Sequence, residues 1–277
     1  MTADELVDLE IGLLMEGVYQ VYGYDFRGYA EASLRRRLLQ WLSASGMESL
    51  SLAQSRLLRD REFFATLLQS ITVNVSEMFR DPQFFKVLRE QVVPYLRTYP
   101  FVKIWHAGCA TGEEAYSMAI LLQEEGLSGR FRLYATDINE AVLRRAKDGI
   151  YPLQEMQRFT KNYQQGGGKG SLADYYTARY ENAILEPGLR DHIVFAAHNL
   201  AVDADFGEMH LVLCRNVLIY FKQQLKERVL GLFDNCLVPG GFICLGMKES
   251  LDRRSIANRY EEVVPQMRIY RKRYAEQ

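Results

Sequence analysis

Several patterns that identify large classes of protein are missing from this sequence. Its 4 cysteines contain no Cys-x-x-Cys pair and three lie in apolar runs, so we expect buried free thiols rather than disulfides or zinc ligands. Its 4 histidines are not spaced as metal ligands are, and we expect no metal site. The absence of a Gly-x-Ser-x-Gly elbow argues against a serine hydrolase.

Long apolar runs and an excess of one charge are also missing. No run approaches the length of a membrane span, and acids from Asp4 onward do not resemble a signal peptide. The 34 basic and 35 acidic residues nearly balance, which gives no reason to expect nucleic acid as a partner. We therefore expect a cytoplasmic protein without direct membrane insertion. Its 277 residues, 48% of them apolar, suffice for one large domain or two smaller ones.

The first quarter of the sequence, residues 1–72, predicts an all-helical domain. Leucine and valine recur there at helical spacing, and two of the expected helices end at glycines. Residues 73–99 predict a linker that is rich in β-branched residues, followed by a connecting helix. Asp81 should be the N-cap of that helix because a proline, which suits the first helical position, follows it.

Residues 100–277 predict a Rossmann-like α/β sheet, because apolar strand-like runs alternate with helical stretches. Between about 162 and 190 a glycine-rich loop and an aromatic extended segment interrupt this alternation, and we expect a small antiparallel β insertion there. A last run at about 267–273 has the pattern of an antiparallel edge strand. The other predicted strands are 103–107, 132–136, 193–197, 211–215 and 242–245.

A glycine turn between Gly108 and Gly112 follows the first predicted strand and precedes a helix. Glycine permits positive φ and a close approach of the backbone to a ligand. The spacing matches neither a dinucleotide fingerprint nor a P-loop, and the next two residues, Glu113 and Glu114, would repel a pyrophosphate. A cofactor with a cationic end and no phosphate, such as S-adenosylmethionine, fits better. A tight turn without any ligand is the alternative.

Polar residues follow three further predicted strands. Asp137 lies 25 residues after Gly112, close to the spacing at which an acid binds ribose hydroxyls. It could equally be the N-cap of the next helix, and the two roles are compatible. Asn199 and the pair Arg215–Asn216 follow two other strands. Since ligands of open sheets bind beyond the carboxyl ends of the strands, we expect these side chains to meet in one crevice.

Three separated motifs resemble those of the CheR-type chemotaxis receptor methyltransferases, and the match covers nearly the whole chain. The sequence Asn-Val-Ser-Glu-Met-Phe-Arg at 74–80 resembles the family's linker motif Asn-x-Thr-x-Phe-Phe-Arg. The glycine turn at 108–114 resembles the family's cofactor loop. Residues 215–221, Arg-Asn-Val-Leu-Ile-Tyr-Phe, match a stretch that is distinctive of the family.

The resemblance implies methylation of receptor glutamates with S-adenosylmethionine, which leaves S-adenosylhomocysteine. Arg80 and Tyr220 become candidates for arranging the methyl transfer. Together with Gly108 of the glycine turn, the residues that the resemblance places at the cofactor are Asn74, Ser76, Arg80, Glu113, Asp137, Asn199, Leu200, Arg215 and Asn216.

The resemblance also implies a chemoreceptor, or a similar signalling protein, as the partner of a monomeric enzyme. The helical domain would face that receptor, which makes Arg35, Arg36 and Arg37 contact candidates; the alternative is an ordinary solvated helix face. In some family members the β insertion docks a short receptor tail, and here it is either such a dock or scaffold.

The sequence departs from the family pattern at several positions. Ser76 replaces threonine, Met78 replaces an aromatic residue, Ala115 replaces proline and Lys248 replaces the serine that usually precedes the glutamate. These changes concern substrate choice more than cofactor binding. A catalytically weak, cofactor-binding regulator of a chemosensory pathway is the alternative function. A methyltransferase for bases would instead predict a basic cleft or an Asn/Asp-Pro-Pro-Tyr loop, and neither is found.

Overall fold

The computed structural model describes residues 2–73, 76–251 and 256–274. Its first part is a helical bundle with a core of its own, as the sequence predicts. Thr2 and Asp60 cap the first and last of these helices by accepting hydrogen bonds from backbone N–H groups. Four helices form the bundle: α1 (Ala3–Tyr22), α2 (Glu31–Ser45), α3 (Leu50–Leu57) and α4 (Arg61–Ile71).

The connecting helix has three parts, α5 (Pro82–Val87), a π-helical turn (Leu88–Val92) and α6 (Val93–Leu96). The π-helical turn lies just before Pro94, which has no N–H group to donate the regular helical hydrogen bond. The N–H of Val93 instead bonds to the carbonyl of Leu88, five residues back.

Asp81 stands at the N-cap position of α5 and the proline follows it at the start of the helix, as the sequence predicts. Its side chain, however, makes no capping hydrogen bond. Its carboxylate pairs instead with the Arg215 guanidinium, 2.6 Å away. The start of the helix is therefore tied to the sheet domain by an ion pair between distant parts of the chain.

The second domain contains a mixed sheet of seven strands in the order β6-β2-β1-β7-β8-β10-β9, flanked by helices. The first five strands of that order run parallel, and β10 and β9 are antiparallel to their neighbours. The strands are β1 (Val102–Ala107), β2 (Phe131–Asp137), β6 (Ile193–Ala197), β7 (Met209–Cys214), β8 (Leu237–Leu245), β9 (Tyr260–Val264) and β10 (Ile269–Lys272). The main helices are α7 (Glu113–Glu124), α8 (Glu140–Asp148), α9 (Met156–Gln165) and α11 (Gln223–Cys236), and the short α10 (Pro187–Arg190) precedes β6.

The strands predicted from the sequence are all present, but the predicted edge strand is not at the edge. β10 pairs with β8 on one side and with β9 on the other, so β9 forms the edge. β9 was not predicted, because its alternation is interrupted by adjacent exposed glutamates, Glu261 and Glu262.

A separate antiparallel sheet of three strands, in the order β3-β5-β4, forms the β insertion. Its strands are β3 (Ile150–Pro152), β4 (Tyr176–Arg179) and β5 (Asn182–Leu185). β3 lies before the stretch from 162 to 190 in which we expected the insertion. The aromatic segment is also not one strand but two, since the chain turns at Tyr180, where φ is 53°.

The sheet reverses its strand order between β1 and β7, where ligands bind in doubly wound folds. From β1 the chain moves outward to β2 and β6, and then crosses over to β7 and β8 on the other side. The carboxyl ends of β1 and β7 therefore border an open crevice. In the part of the chain that is described, no helix has the length and apolarity to cross a membrane.

Candidate functional site

A cavity of about 560 Å³ lies at this crevice, between the sheet, the linker and the helical bundle. The bundle contributes Tyr29 and Ile71, and the glycine turn contributes Gly108 and Ala110. The turn that follows β7 closes the far side, with Tyr220 on its wall. The two domains therefore share one site.

The glycine turn requires both of its glycines. Gly108 and Gly112 have φ values of 76° and 92°, which side chains rarely adopt. A Cβ atom on Gly108 would lie 2.5 Å from a methyl group of Val217, and one on Gly112 would lie 2.9 Å from Cβ of Ala146. The turn is thus packed tightly between the cavity wall and α8.

Four of the five N–H groups of the turn, those of Gly108, Cys109, Ala110 and Gly112, already donate hydrogen bonds within the protein, which is unlike a phosphate-binding nest. Gly108 and Cys109 both donate to the carbonyl of Thr136, at 2.8 and 2.9 Å. Ala110 donates to Oδ2 of Asp137 at 2.9 Å. A phosphate needs such groups to be free and directed at the ligand. The occupied donors agree with a cofactor that carries no phosphate.

Asp137 lines the cavity at the end of β2 and does not cap the next helix. Its Oδ1 accepts a hydrogen bond from the N–H of Asn139, and it is Asn139 whose side chain caps α8. Burial raises the pKa of Asp137, although its backbone hydrogen bonds offset part of the effect. Each carboxylate oxygen accepts one of these backbone hydrogen bonds and retains a further lone pair. The carboxylate can therefore accept from a pair of ribose hydroxyls.

Glu114 is the acid of the pair that faces the cavity. Its Oε2 accepts a hydrogen bond from Arg215 at 2.7 Å, and its Oε1 lies 3.4 Å from Nε2 of His106. Burial alone would raise the pKa of Glu114, but the positive charge of Arg215 and the contact with His106 outweigh it and lower the pKa to about 2. Arg215 also packs over the ring of Phe84, 3.9 Å from its centroid.

Glu113, which we expected at the cofactor, is not among the residues that line the cavity in the described chain. Its carboxylate accepts hydrogen bonds from the hydroxyl of Thr111 at 2.7 and 2.9 Å. Burial raises its pKa, and hydrogen bonds from Thr111 and Ser76 counteract part of that rise. The cofactor role of Glu113 stays a prediction, and Glu114 is the acid that lines the cavity, because neighbouring side chains on a helix point about 100° apart.

The cavity brings together most of the residues that the sequence singled out. His106 and Glu114 were missed, since neither a buried strand end nor a helix rotation can be read from the residue types alone. Asn74 lies outside the described residues. The predicted residues that line the cavity are Ser76, Arg80, Gly108, Asp137, Asn199, Leu200, Arg215, Asn216 and Tyr220.

The three arginines of α2 do not share one environment. Arg35 forms ion pairs with Asp4 and Asp8 of α1, at 2.5 and 2.8 Å. Arg36 is exposed. The guanidinium of Arg37 lies 5.5 Å from the centroid of the Tyr220 ring, which is on the cavity wall. It also donates a hydrogen bond to the carbonyl of Ser70.

Comparison with known proteins places both domains in one family. Residues 9–72 match the model of the CheR methyltransferase all-alpha domain, and residues 74–267 match that of the CheR methyltransferase SAM-binding domain. This chain belongs to the CheR methyltransferase family. Its second domain is accordingly an S-adenosylmethionine-binding domain.

Individual relatives of the CheR family extend this similarity along the chain. A putative methyltransferase Cher3 of Pseudomonas putida is 52% identical over 98% of this chain and all of its own length. The chemotaxis protein methyltransferase of Listeria innocua is 28% identical over 83% of this chain and 85% of its own. That of Escherichia coli K12 is 31% identical over 55% of this chain and 54% of its own.

One buried carboxylate oxygen of the cavity wall suits a cationic cofactor. Oε1 of Glu114 has no hydrogen-bond partner among the described residues, although it lies 3.4 Å from Nε2 of His106. An ionised carboxylate accepts hydrogen bonds and donates none, so Glu114 fits the ammonium group of S-adenosylmethionine. No cluster of His, Cys, Asp and Glu within the described ranges could hold a metal ion.

Proposed function

We propose that this protein methylates glutamate side chains of a chemoreceptor or a related signalling protein and forms glutamate methyl esters. The observation that carries the proposal is the placement of the partly buried Arg80 in the same cavity as the acidic floor around Glu114. A cation for the acceptor carboxylate and an anion for the cofactor thus border one space. The names of the Listeria and Escherichia relatives, both chemotaxis protein methyltransferases, support the choice of acceptor.

The reaction requires little acid–base catalysis by the protein. A glutamate with a pKa of about 4.3 is already an anion at neutral pH, so no general base is needed. When bound, S-adenosylmethionine supplies the electrophilic methyl group at its sulfonium. A carboxylate oxygen of the acceptor forms a bond to this methyl carbon, the bond from carbon to sulfur breaks, and its electron pair stays on sulfur. Opposite charges disappear as the neutral ester and thioether form.

The contribution of the protein is then to hold the two groups in line in a cavity that contains little water. Arg80 makes no ion pair with any other described residue, so its guanidinium is free to bind a carboxylate by charge-assisted hydrogen bonds. Tyr220 shapes the opposite wall, where the N–H of Ala30 in the helical domain donates to its carbonyl at 2.8 Å. We assign Arg80 to orienting the carboxylate and Tyr220 to confining it.

The helical domain, residues 1–72, should face the receptor in this arrangement, with residues 73–99 as the connection to the methyltransferase domain at 100–277. Arg36 is exposed and suits direct contact with a carboxylate of the receptor. Arg35 is held by Asp4 and Asp8, and Arg37 points to the transfer site instead. We therefore propose unequal roles for the three arginines.

The test is transfer of a labelled methyl group from S-adenosylmethionine to purified chemoreceptors, with release of the label by mild alkali as the mark of an ester. Arg80→Ala should lower the transfer rate by a factor of 100 or more, on the order of a lost charged positioning group. Arg144→Ala on the exposed side of α8 is the matched control and should not change it. An unchanged rate in Arg80→Ala would remove the role of Arg80.

The same assay distinguishes the proposed enzyme from the alternative, a catalytically weak regulator that binds the cofactor. A regulator that binds the cofactor without turnover would show binding by calorimetry and no transfer to any receptor. Met78, a departure from the family motif, does not favour that alternative. Its side chain is fully buried in the core and does not line the cavity, so the change leaves the described wall of the site intact.

A further inference from the structure

A second cavity, of about 800 Å³, adjoins the methyl-transfer cavity on the side of α11 and β10. We call it the lysine groove and define it by Gln223, Lys226, Lys248, Glu249, Glu262 and Arg268. Ile219 and Lys248 line both cavities. A polypeptide with one glutamate in the first cavity can therefore continue directly into the second.

The two lysines of the groove come from different elements. Lys226 lies on α11 and is partly buried, whereas Lys248 is exposed in the loop after β8. Neither forms an ion pair with another residue of the described ranges, although many other lysines and arginines of this chain do. Two unpaired ammonium groups therefore face the groove.

The carboxylates of the groove do not neutralise these lysines. Glu249 is buried, and it accepts hydrogen bonds from the N–H groups of Gly246, Asn216 and Ile219, at 2.6, 3.0 and 3.2 Å. Its charge is thus stabilised by the backbone of the loop that also borders the transfer site. Glu262 lies opposite Arg268, with 3.8 Å between the charged atoms. Among the described residues that line the groove, the charge balance that remains is positive.

We propose that the lysine groove binds an acidic stretch of the methyl-accepting protein beside the glutamate that is methylated. The proposal rests on the proposed function and adds a determinant of substrate choice to it. Continuity with the transfer cavity places the occupant on the same chain as the acceptor glutamate, and the unpaired lysines select carboxylates. Lys248 is also the position where this sequence departs from the serine that the CheR family usually has.

The test compares methyl transfer by the full-length wild-type protein with transfer by Lys226→Gln, Lys248→Ser and the double variant. Initial rates are measured against the concentration of a purified chemoreceptor, at low and at high salt. Lys147→Gln is the control, because Lys147 is an exposed lysine of α8 that lines neither cavity. Each groove variant should raise KM for the receptor about two- to five-fold, as expected for a partly exposed charge pair. The double variant should raise it roughly ten-fold and weaken the salt dependence.

A purely structural role would change other quantities. In Lys226→Gln, whose side chain does not line the transfer cavity, we expect kcat and the affinity for S-adenosylmethionine, measured by calorimetry, to stay at the wild-type values. If wild type transfers methyl groups and the groove variants behave like Lys147→Gln, the groove has no role in substrate choice, while the proposed function stands. If wild type transfers no methyl group to any receptor, the proposed function fails first, and this proposal fails with it.

Discussion

Glutamine in place of Glu114 removes a charge that the fold holds between Arg215 and His106. The pKa of this carboxyl falls from 4.5 to about 2, which corresponds to about 3 kcal/mol in favour of the ionised form in the folded protein. Loss of one partner of a buried ion pair typically costs about 3–5 kcal/mol. Arg215 keeps Asp81 at 2.6 Å in the variant, so we expect the lower end, about 3 kcal/mol of unfolding free energy at neutral pH.

The pH dependence gives this prediction a definite sign. The folded pKa of Glu114 lies below the unfolded one, so its stabilisation is complete above pH 4.5 and is lost as the pH falls towards about 2. The difference in unfolding free energy between wild type and Glu114→Gln should therefore be constant near neutral pH. It should shrink through this acidic interval and nearly vanish at its lower end.

Urea unfolding monitored by circular dichroism measures this difference in unfolding free energy, and Glu113→Gln is the matched control. Glu113 is the adjacent residue and is also buried, but burial raises its pKa, so its ionised form is less favourable in the fold than in the unfolded chain. Its replacement should cost less than about 1 kcal/mol, mainly through the weakened bonds to Thr111. Equal losses in the two variants would refute the assignment of opposite electrostatic roles to these neighbours.

Three further changes test other parts of the molecule. Asp137→Asn should weaken the binding of S-adenosylmethionine roughly ten-fold in calorimetry, because a charged acceptor of ribose hydroxyls is lost. Arg89→Met should lower the unfolding free energy by about 3–5 kcal/mol in urea, since it leaves the buried Glu124 without its partner at 2.5 Å. Gly108→Ala should abolish cofactor binding through its 2.5 Å contact with Val217, and a second change, Val217→Ala, should restore part of it.

The order of helices and strands could be predicted from the sequence because the central strands are buried on both faces. β7 is buried at almost every position, so it appears as one continuous apolar run. β9 could not be found in the same way. It is an edge strand of five residues in which Glu261 and Glu262 face solvent, and its pairing with β10 depends on a contact between distant parts of the sheet.

Long-range electrostatics explains why part of the candidate site could not be predicted. Asp81 before a proline has every local feature of a helix cap, and local preference is all that a single sequence reveals. In the folded chain Arg215, 134 residues away, offers this carboxylate a charged partner. An ion pair satisfies the acid better than a neutral N–H does, so the tertiary contact overrides the local signal.

The position of the helix start determines which of the two adjacent glutamates, Glu113 or Glu114, faces the cavity. The sequence places two glutamates directly after Gly112 and gives no reason to prefer either as the ligand of a cation. Gly112 has a φ of 92°, and α7 begins at the next residue. This start sets the rotation of the helix, and it directs Glu114 to Arg215 and the cavity while Glu113 bonds to the hydroxyl of Thr111. Because a Cβ atom at Gly112 would press against Ala146, the start cannot shift by a residue without cost. The glycine therefore selects which acid faces the cavity.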